Sequence, residues 1–512
     1  MSSTVTTQSS PSERLWDGLR RFAALPDWLG AAVRPDRLGA ALSRQVPELA
    51  AGALELTGVE ANRLRLKDAH WTGLYRLTLS GGGEAGERRV DLSGSLYPPG
   101  ALPPGPARPE VALGSAGWHC QLAELGLDLQ AEEPGGADTG AATGTDAATG
   151  AVSADAALPA LAALTDPTGA RGLLEQHLRA ASPAYRDLRV ASCTPRVVRY
   201  KPGSRCTILF DLRYPPGSDA SARDWPELVV AKTYRGDKGR IAWEGMQALW
   251  QSPLGRGDVV AIAEPLAYLP DLRVLLQGPI GEERTLKELT RSAIDSGTST
   301  ALAVLDGYLA KTAAGLATLH SSGATIGEPL TLEDELAETR EVLGGLAVPV
   351  PTLAGAADAL LARVEELAAR HPADPPVPSH RSFRPAQVLL HQGGIGFIDF
   401  DGACQAEPAL DLALFRATLK DVGLIRKETA GDDPPPPRGV QLAMYGQLDR
   451  ACETFLARYL QLAPASPARV LLWETLDVLA YVLRCWLKVK PKRLWANMLM
   501  LERHLATAAE LR

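Results

Sequence analysis

Cysteine is sparse and scattered in this chain. The six residues, Cys120, Cys193, Cys206, Cys404, Cys452 and Cys485, form no CxxC pair. A secreted disulfide framework or a thiolate zinc site needs tighter spacing, so reduced thiols in a cytoplasmic protein are expected. The eight histidines make no HExxH or comparable ligand cluster. Aromatic residues are only 5% of the chain, while Ala, Leu, Gly and Pro abound, a composition of bacterial type. No run approaches the ~18 apolar residues of a membrane span. The opening MSSTVTTQSSPSER lacks an apolar core for a signal peptide, and a frayed tail over 1–14 is expected. Positive charge is also in deficit. A net charge of −7 argues against nucleic-acid or membrane adhesion as a general property.

What is present is a globular composition, 46% apolar and 22% charged, in a chain of 512 residues. That length exceeds one ordinary core, so two or three domains are expected. The clearest boundary is 131–157, rich in Gly, Ala, Thr and Asp and nearly free of large apolar residues. Such a segment cannot bury enough surface to offset its ordering entropy, and it reads as a flexible linker. It separates an N-terminal α+β domain (15–130) from a larger block (158–512).

The larger block begins with sheet. RVVRYKPGSRCTILFDLRY (196–214) reads as strand, turn and strand, with Pro202-Gly203 at the turn. LVVAKTY (228–234) is a β-branched interior strand, and RVLLQG (273–278) is another. GRIAWEGMQALW (239–250) has helical spacing, with Ile241, Met246 and Leu249 as its apolar stripe. From about 300 onward helices dominate, interrupted only by two short strands, QVLLH and IGFIDF. A small antiparallel sheet (158–280) followed by a helical block (281–512) is an α+β two-lobe arrangement. The N-terminal domain carries a weak echo of that sheet. RLRLKDAHWTGLYRLTL (63–79) and VDLSGSLYPPG (90–100) match its strand-turn-strand and third strand, with Ser95 where the second copy has Lys232.

Phosphoryl transfer needs few parts: a lysine on the phosphates, a carboxylate to orient it, oxygen ligands for Mg²⁺, and a proton acceptor. Lys232 stands mid-strand, where an unpaired ammonium is costly, and Glu244, twelve residues on, is its expected partner. A snorkelling edge-strand lysine is the alternative. In KPGSRC (201–206), glycine allows close backbone approach, and Ser204 or Arg205 could touch phosphate.

Residues 196–415 resemble the aminoglycoside phosphotransferase and choline kinase-like family, which shares the protein-kinase architecture. Lys232 in VVAKTY, AGLATLHSSG (314–323), HRSFRPAQVLL and IDFDGACQAEPALDLALF carry the likeness, in the family's order. The resemblance implies ATP and Mg²⁺ as cofactors and a small-molecule acceptor. It puts His380 at the loop-supporting histidine, Ser382 at the catalytic base, Gln387 at the metal-binding asparagine and Asp399 at the metal aspartate. Asp411 falls on an aspartate that braces the catalytic loop. Two positions depart from the family pattern. Gln387 keeps the amide oxygen on a longer arm, whereas Ser382 is no useful proton acceptor near neutral pH without a base beside it. Asp401 enters either as a substitute base or as a second metal-side or structural carboxylate, and Arg381 and Arg384 as anion holders or solvated loop residues.

Three functions stay open at this point. The first is a nucleotide-dependent phosphotransferase of altered mechanism. The second is a pseudokinase scaffold, with a protein partner at the N-terminal domain, and the third transfers another part of ATP to a protein. The C-terminal LRCWLKVKPKRLW (483–495) interleaves cations with tryptophan, but the acidic total charge favours a solvated helix end over nucleic-acid binding.

Overall fold

In a computed structural model of the chain, residues 11–81, 86–131, 155–218, 220–221, 223–425 and 435–508 are described. Most of the expected linker lies outside them. Asp155 to Ala157 do not behave as linker. The Asp155 carboxylate accepts from Tyr200 Oη at 2.9 Å and from the Gly203 amide at 2.7 Å, so it belongs to the sheet lobe. The expected tail also ends earlier than position 14, because a helix starts at Pro11 and runs to Leu19, with Pro at its first turn, where no amide is missed.

The N-terminal domain is a five-stranded antiparallel sheet of β1 (Leu54–Lys67), β2 (His70–Gly81), β3 (Arg88–Leu96), β4 (His119–Leu122) and β5 (Leu127–Ala131), ordered β1-β2-β3-β5-β4. Alternation along β2 buries Trp71, Tyr75, Leu77 and Leu79, and the helix Pro35–Gln45 contributes Leu38, Ala41 and Leu42 to the same core. This domain sits on the last helices of the chain. Trp71 Nε1 donates to the Trp486 carbonyl at 2.9 Å, and Phe22 meets the Trp486 ring edge-on.

The second sheet holds β6 (Ser192–Lys201), β7 (Arg205–Arg213) and β8 (Leu228–Tyr234). After β9 (Ala261–Ile262), which pairs elsewhere, come β10 (Pro265–Leu269) and β11 (Val274–Gln277). Its order is β10-β11-β8-β7-β6, all antiparallel, so β8 lies at the centre. Read from the first strand, both sheets follow one plan, a-b-c-e-d. The register also agrees: each first hairpin carries a bulge, after which Arg65 faces Thr72 in one copy and Arg199 faces Thr207 in the other. Ser95 pairs with Thr72, as Lys232 pairs with Thr207.

One face of the second sheet packs Ile208, Phe210, Val229 and Ala231 on the helix Pro167–Ala181 and forms its own core. The helix Lys238–Gln251 crosses the other face. Its buried positions are Gly239, Ala242, Gly245, Met246 and Leu249, whereas Ile241, expected in the stripe, is 41% exposed. At ~100° per residue, 242, 245, 246 and 249 share one arc, and 241 lies at its margin.

The helical lobe follows as expected, from Leu286–Ser296 to Pro491–Ala508. A Thr285–Glu288 capping box starts it. Just before its first helix runs β12 (Arg284–Thr285), and between its helices run β13 (Val377–Ser379), β14 (Val388–His391), β15 (Gly394–Phe397) and β16 (Cys404–Ala406). The sequence indicates only β14 and β15. The β13–β16 pair is three residues a side, too short for a period to register. It clamps the base of the loop that carries the site. The fold is thus α+β with a sheet lobe, a helical lobe and an added N-terminal α+β domain, the two-lobe arrangement expected from the sequence.

Candidate active site

The cleft between the lobes collects side chains from both. The alternation that buries Ala231 and Thr233 in the sheet lobe turns Lys232 the other way, toward the helical lobe. Its ammonium lies 3.2 Å from Asp399 Oδ1 and 3.3 Å from Asp401 Oδ1. Tyr234, two residues on and so on the same face, donates its hydroxyl to Asp401 Oδ1 at 2.9 Å. Burial pushes that phenol well above its ordinary pKa, and the nearby Asp401 charge adds to the effect, so it remains a donor. Arg205 reaches to 3.9 Å from Asp401 Oδ2.

The expected partner of Lys232 is therefore corrected. Glu244 lies on the outer side of its helix, more than half exposed, and pairs with Arg240 one turn back at 2.7 Å. The buried arc of that helix is set by the small residues Ala242 and Gly245, which let it approach the Phe400–Gly402 turn, and Glu244 falls outside the arc. Asp401 takes the place the sequence gives to Glu244. The spacing Asp-Phe-Asp was its only signal, and that spacing does not tell a lysine partner from a metal ligand.

Asp399 ends the approach from β15 in the left-handed region, at φ 74° and ψ 51°. A non-glycine residue there is strained by roughly 1–3 kcal/mol, a cost typical of functional positions. The bend turns the chain into the Phe400–Gly402 turn, so that both carboxylates face Lys232. Burial raises the Asp399 carboxyl, but Lys232 and Arg205 outweigh it and hold the group well below the usual carboxylate range.

Beneath it lies the loop. His380 is fully buried, and burial, only partly offset by Asp411, holds its pKa below that of an ordinary imidazole. His380 Nε2 lies 3.0 Å from the Ile398 carbonyl, which can only accept, so Nε2 carries the hydrogen and Nδ1 the lone pair. The Ser382 hydroxyl, 3.2 Å from Nδ1, donates to it. Gln387 Nε2 in turn donates to Ser382 Oγ and to Asp399 Oδ2, each at 3.3 Å. Asp411 Oδ2 braces the loop by accepting from the His380 amide at 2.6 Å and from His320 Nε2 at 3.2 Å. Tyr459 closes this chain on His320 Nδ1 at 2.7 Å.

The residues named for metal fit a hard cation. Gln387 Oε1 is buried and has no hydrogen-bond partner among the described residues, and it shares its amide with a bond to Asp399. The amide nitrogen now faces Asp399; with the amide rotated, Gln387 Oε1 and the Asp399 carboxylate are oxygen donors of the kind a hard cation takes. At present the Lys232 ammonium supplies the positive charge there.

Not every expected residue joins the cluster. Arg205 does, but Ser204 contributes only backbone: its amide donates to the Lys201 carbonyl at 3.0 Å, and its carbonyl accepts from the Arg235 amide at 2.8 Å. Arg381 turns to Glu335 at 3.3 Å, and Arg384 Nε caps the Ser382 carbonyl at 3.2 Å. Sequence reasoning missed Tyr234 and Asp155. A groove of about 690 Å³ lined by Arg171, Glu175, Arg179 and Arg189 shares no residue with the cluster, so the site is located by its chemistry and not by cavity size.

With this geometry established, the chain can be set beside known proteins. No curated protein matches it in sequence. The choline kinase from Cryptosporidium parvum Iowa II aligns at 12% identity and TM-score 0.41, covering 66% of this chain and 96% of that one. A glucosamine kinase solved with glucosamine, ADP and inorganic phosphate aligns at 17% and 0.45, covering 66% and 86%. A second crystal of glucosamine kinase aligns at 17% and 0.41 over 93% of this chain and 98% of that one. Residues 284–422, which hold His380, Ser382, Gln387, Asp399 and Asp411, match the model of the phosphotransferase enzyme family, and it is this family that the chain resembles.

Proposed function

We propose that the protein is an ATP- and Mg²⁺-dependent phosphotransferase acting on a small molecule, with the proton-accepting side of its site altered. The observation that carries this reading is the meeting of Lys232, Asp399, Gln387 and Ser382, from three stretches of chain, at the lobe interface. Partly buried charges of this kind seldom stabilise a fold beyond a hydrophobic filling, which supports a binding role over a pure scaffold. Asp399 and Gln387 Oε1 would hold the metal, which when bound offsets charge on the transferring phosphoryl group. Lys232 and Arg205 would hold donor phosphates. Asp401 keeps Lys232 positioned, with Tyr234 and Arg205 as its other partners.

Ser382 supplies no carboxylate. Its hydroxyl hydrogen is directed at His380 Nδ1, and the Gln387 amide donates to its oxygen. A positioned base is worth roughly 10²–10⁴ in rate, and phosphoryl transfer through a loose transition state survives without it at reduced speed. The test is release of ADP from ATP by the wild type, Ser382→Asp and Asp399→Ala. Slow Mg²⁺-dependent turnover that Ser382→Asp accelerates and Asp399→Ala abolishes is expected. Turnover that none of the three supports, with ATP demonstrably bound, would favour the second reading, a nucleotide-binding pseudokinase. The serine at the base position is what favours that alternative.

The domain division belongs to the same proposal. It takes 15–130 as a degenerate copy of the sheet lobe, Ser95 marking the lost lysine, and 131–157 as its tether up to the Asp155 anchor. The shared strand order and register support the copy. Limited proteolysis that cuts first elsewhere would refute the tether.

A further inference from the structure

The two equivalent hairpins bring cations together in a chain whose net charge is −7. In the sheet lobe, Arg199, Lys201 and Arg205 lie around the turn between β6 and β7, with Lys201 facing Arg205 across it. In the N-terminal domain the bulge before Arg65 turns that residue out at the end of β1, next to the Leu66–Trp71 pair. Trp71 is bonded to Trp486, which sets the hairpin end beside Lys488, just past the helix Pro467–Leu487.

Electrostatics tie the three parts into one surface. Burial and then Arg65, Arg205, Arg199 and Lys238 lower the Lys201 ammonium, and burial, Arg484, Arg65, Lys490 and Lys201 lower that of Lys488. Lys488 thus feels both Arg65 and Lys201, and Lys201 feels Arg65. Arg65 and Lys488 are exposed, and no ion pair or hydrogen bond joins Arg65, Lys201 or Lys488 to a carboxylate among the described residues. Two carboxylates lie at the hairpin turns themselves, Asp68 between β1 and β2 and Asp155 bonded to Tyr200 and the Gly203 amide, and the others lie at the edges of the surface. Asp399 and Asp401 act on Arg199 at the inner end, and Asp421 and Asp477 act on Arg484 at the other. Like charges held together without partners destabilise a fold unless something anionic offsets them.

We propose that Arg65, Lys201 and Lys488 form an anion site at the mouth of the cleft and take the phosphate of a small acceptor that already carries one. The site is contiguous with the transfer cluster through Arg199 and Arg205, and it rests on the phosphotransfer reading for the word acceptor. Guanidinium and ammonium groups from three parts of the chain suit a multiply charged phosphate. The N-terminal domain then has a role in the site, as the source of Arg65.

The probe is inorganic pyrophosphate, titrated against the full chain with Mg²⁺ in excess, at saturating ATP and again without nucleotide. Wild type, Arg65→Glu and Lys488→Glu are compared by melting temperature. With ATP bound, pyrophosphate should add a second stabilisation. Each charge reversal should weaken pyrophosphate about tenfold to a hundredfold, the worth of one charged hydrogen bond, and leave the ATP shift in place. Pyrophosphate that merely competes with ATP, or that ignores both reversals, overturns the site. Binding only of a long polyanion such as a heparin fragment overturns the assignment to a small ligand. Pyrophosphate binding through Arg65 and Lys488 in a chain that shows no ATP shift upholds the anion site and removes the phosphotransfer reading alone.

Discussion

Replacing Lys232 by methionine keeps the apolar stem and removes the charge between two carboxylates. In the wild type the ammonium lies 3.2 Å from Asp399 and 3.3 Å from Asp401, with its side chain 15% exposed. At an effective dielectric of about 20 each contact is worth about 5 kcal/mol before desolvation. Hydrogen bonds to charged groups net about 1.5–3 kcal/mol, and Arg205 and Tyr234 remain to support Asp401, so a loss of about 2 kcal/mol at neutral pH is expected. The pH dependence separates this from lost packing. In the wild type the Asp399 pKa is depressed in the folded state, so its contribution is present above the ordinary value of 3.8 and fades as pH falls below it. In Lys232→Met, burial and the adjacent Asp401 push the Asp399 carboxyl up, so protonation relieves the pair already above that value. The difference between the two proteins should therefore be largest near neutral pH and shrink toward about pH 4. Urea denaturation at both pH values measures it. Equal differences at the two, or none at neutral pH, would refute the account of Lys232 as the cation between these carboxylates.

Other outcomes follow from the same structure. Asp411→Ala leaves the His380 amide and His320 Nε2 without their acceptor in a site with no exposure, and should cost about 3–5 kcal/mol by denaturation. Glu474→Gln unbalances Arg416 and Lys420, each within 2.9 Å of that buried carboxylate, and should cost a similar amount. Because Lys420 and Arg416 hold Glu474 below its ordinary pKa against burial, wild-type stability from this group is kept at neutral pH and lost in acid. Gly315→Ala would put a methyl 2.9 Å from Phe397 and 3.1 Å from Ile395, under the strand that leads to Asp399, and should cost about 1–3 kcal/mol in melting experiments.

Much of this was legible because the elements that bear the site have strong local signals. LVVAKTY is β-branched and flanked by turns, and it is β8 to the residue. The two-lobe order, the Pro202-Gly203 turn and the strand before Asp399 were visible for similar reasons, although that strand stops at Phe397, and Gly203 does take the left-handed φ of 66°. What stayed hidden depends on phase and on distance. Ile241 and Glu244 are a fraction of a helical turn from where a simple stripe puts them, because the small residues Ala242 and Gly245 share the buried arc with Met246 and Leu249. Tyr234 reads as one more strand aromatic until Asp401 comes within reach across 167 positions. Asp155 sits in a compositionally simple stretch, and its two bonds to the hairpin, from Tyr200 and the Gly203 amide, leave no local mark. The Ser382–His380 bond depends on which imidazole nitrogen holds the hydrogen, a choice made by the Ile398 carbonyl.

The most direct measurement is the thermal stability of the purified chain with and without ATP, each with and without Mg²⁺, beside Asp399→Ala. A ligand at about 100 times its Kd adds about 2.7 kcal/mol, readily seen in the melting temperature. A rise that needs Mg²⁺ and disappears in a folded Asp399→Ala is the predicted result. No rise at millimolar ATP, in a protein that melts cooperatively, would contradict the central claim that Lys232, Asp399 and Gln387 form a nucleotide–metal site.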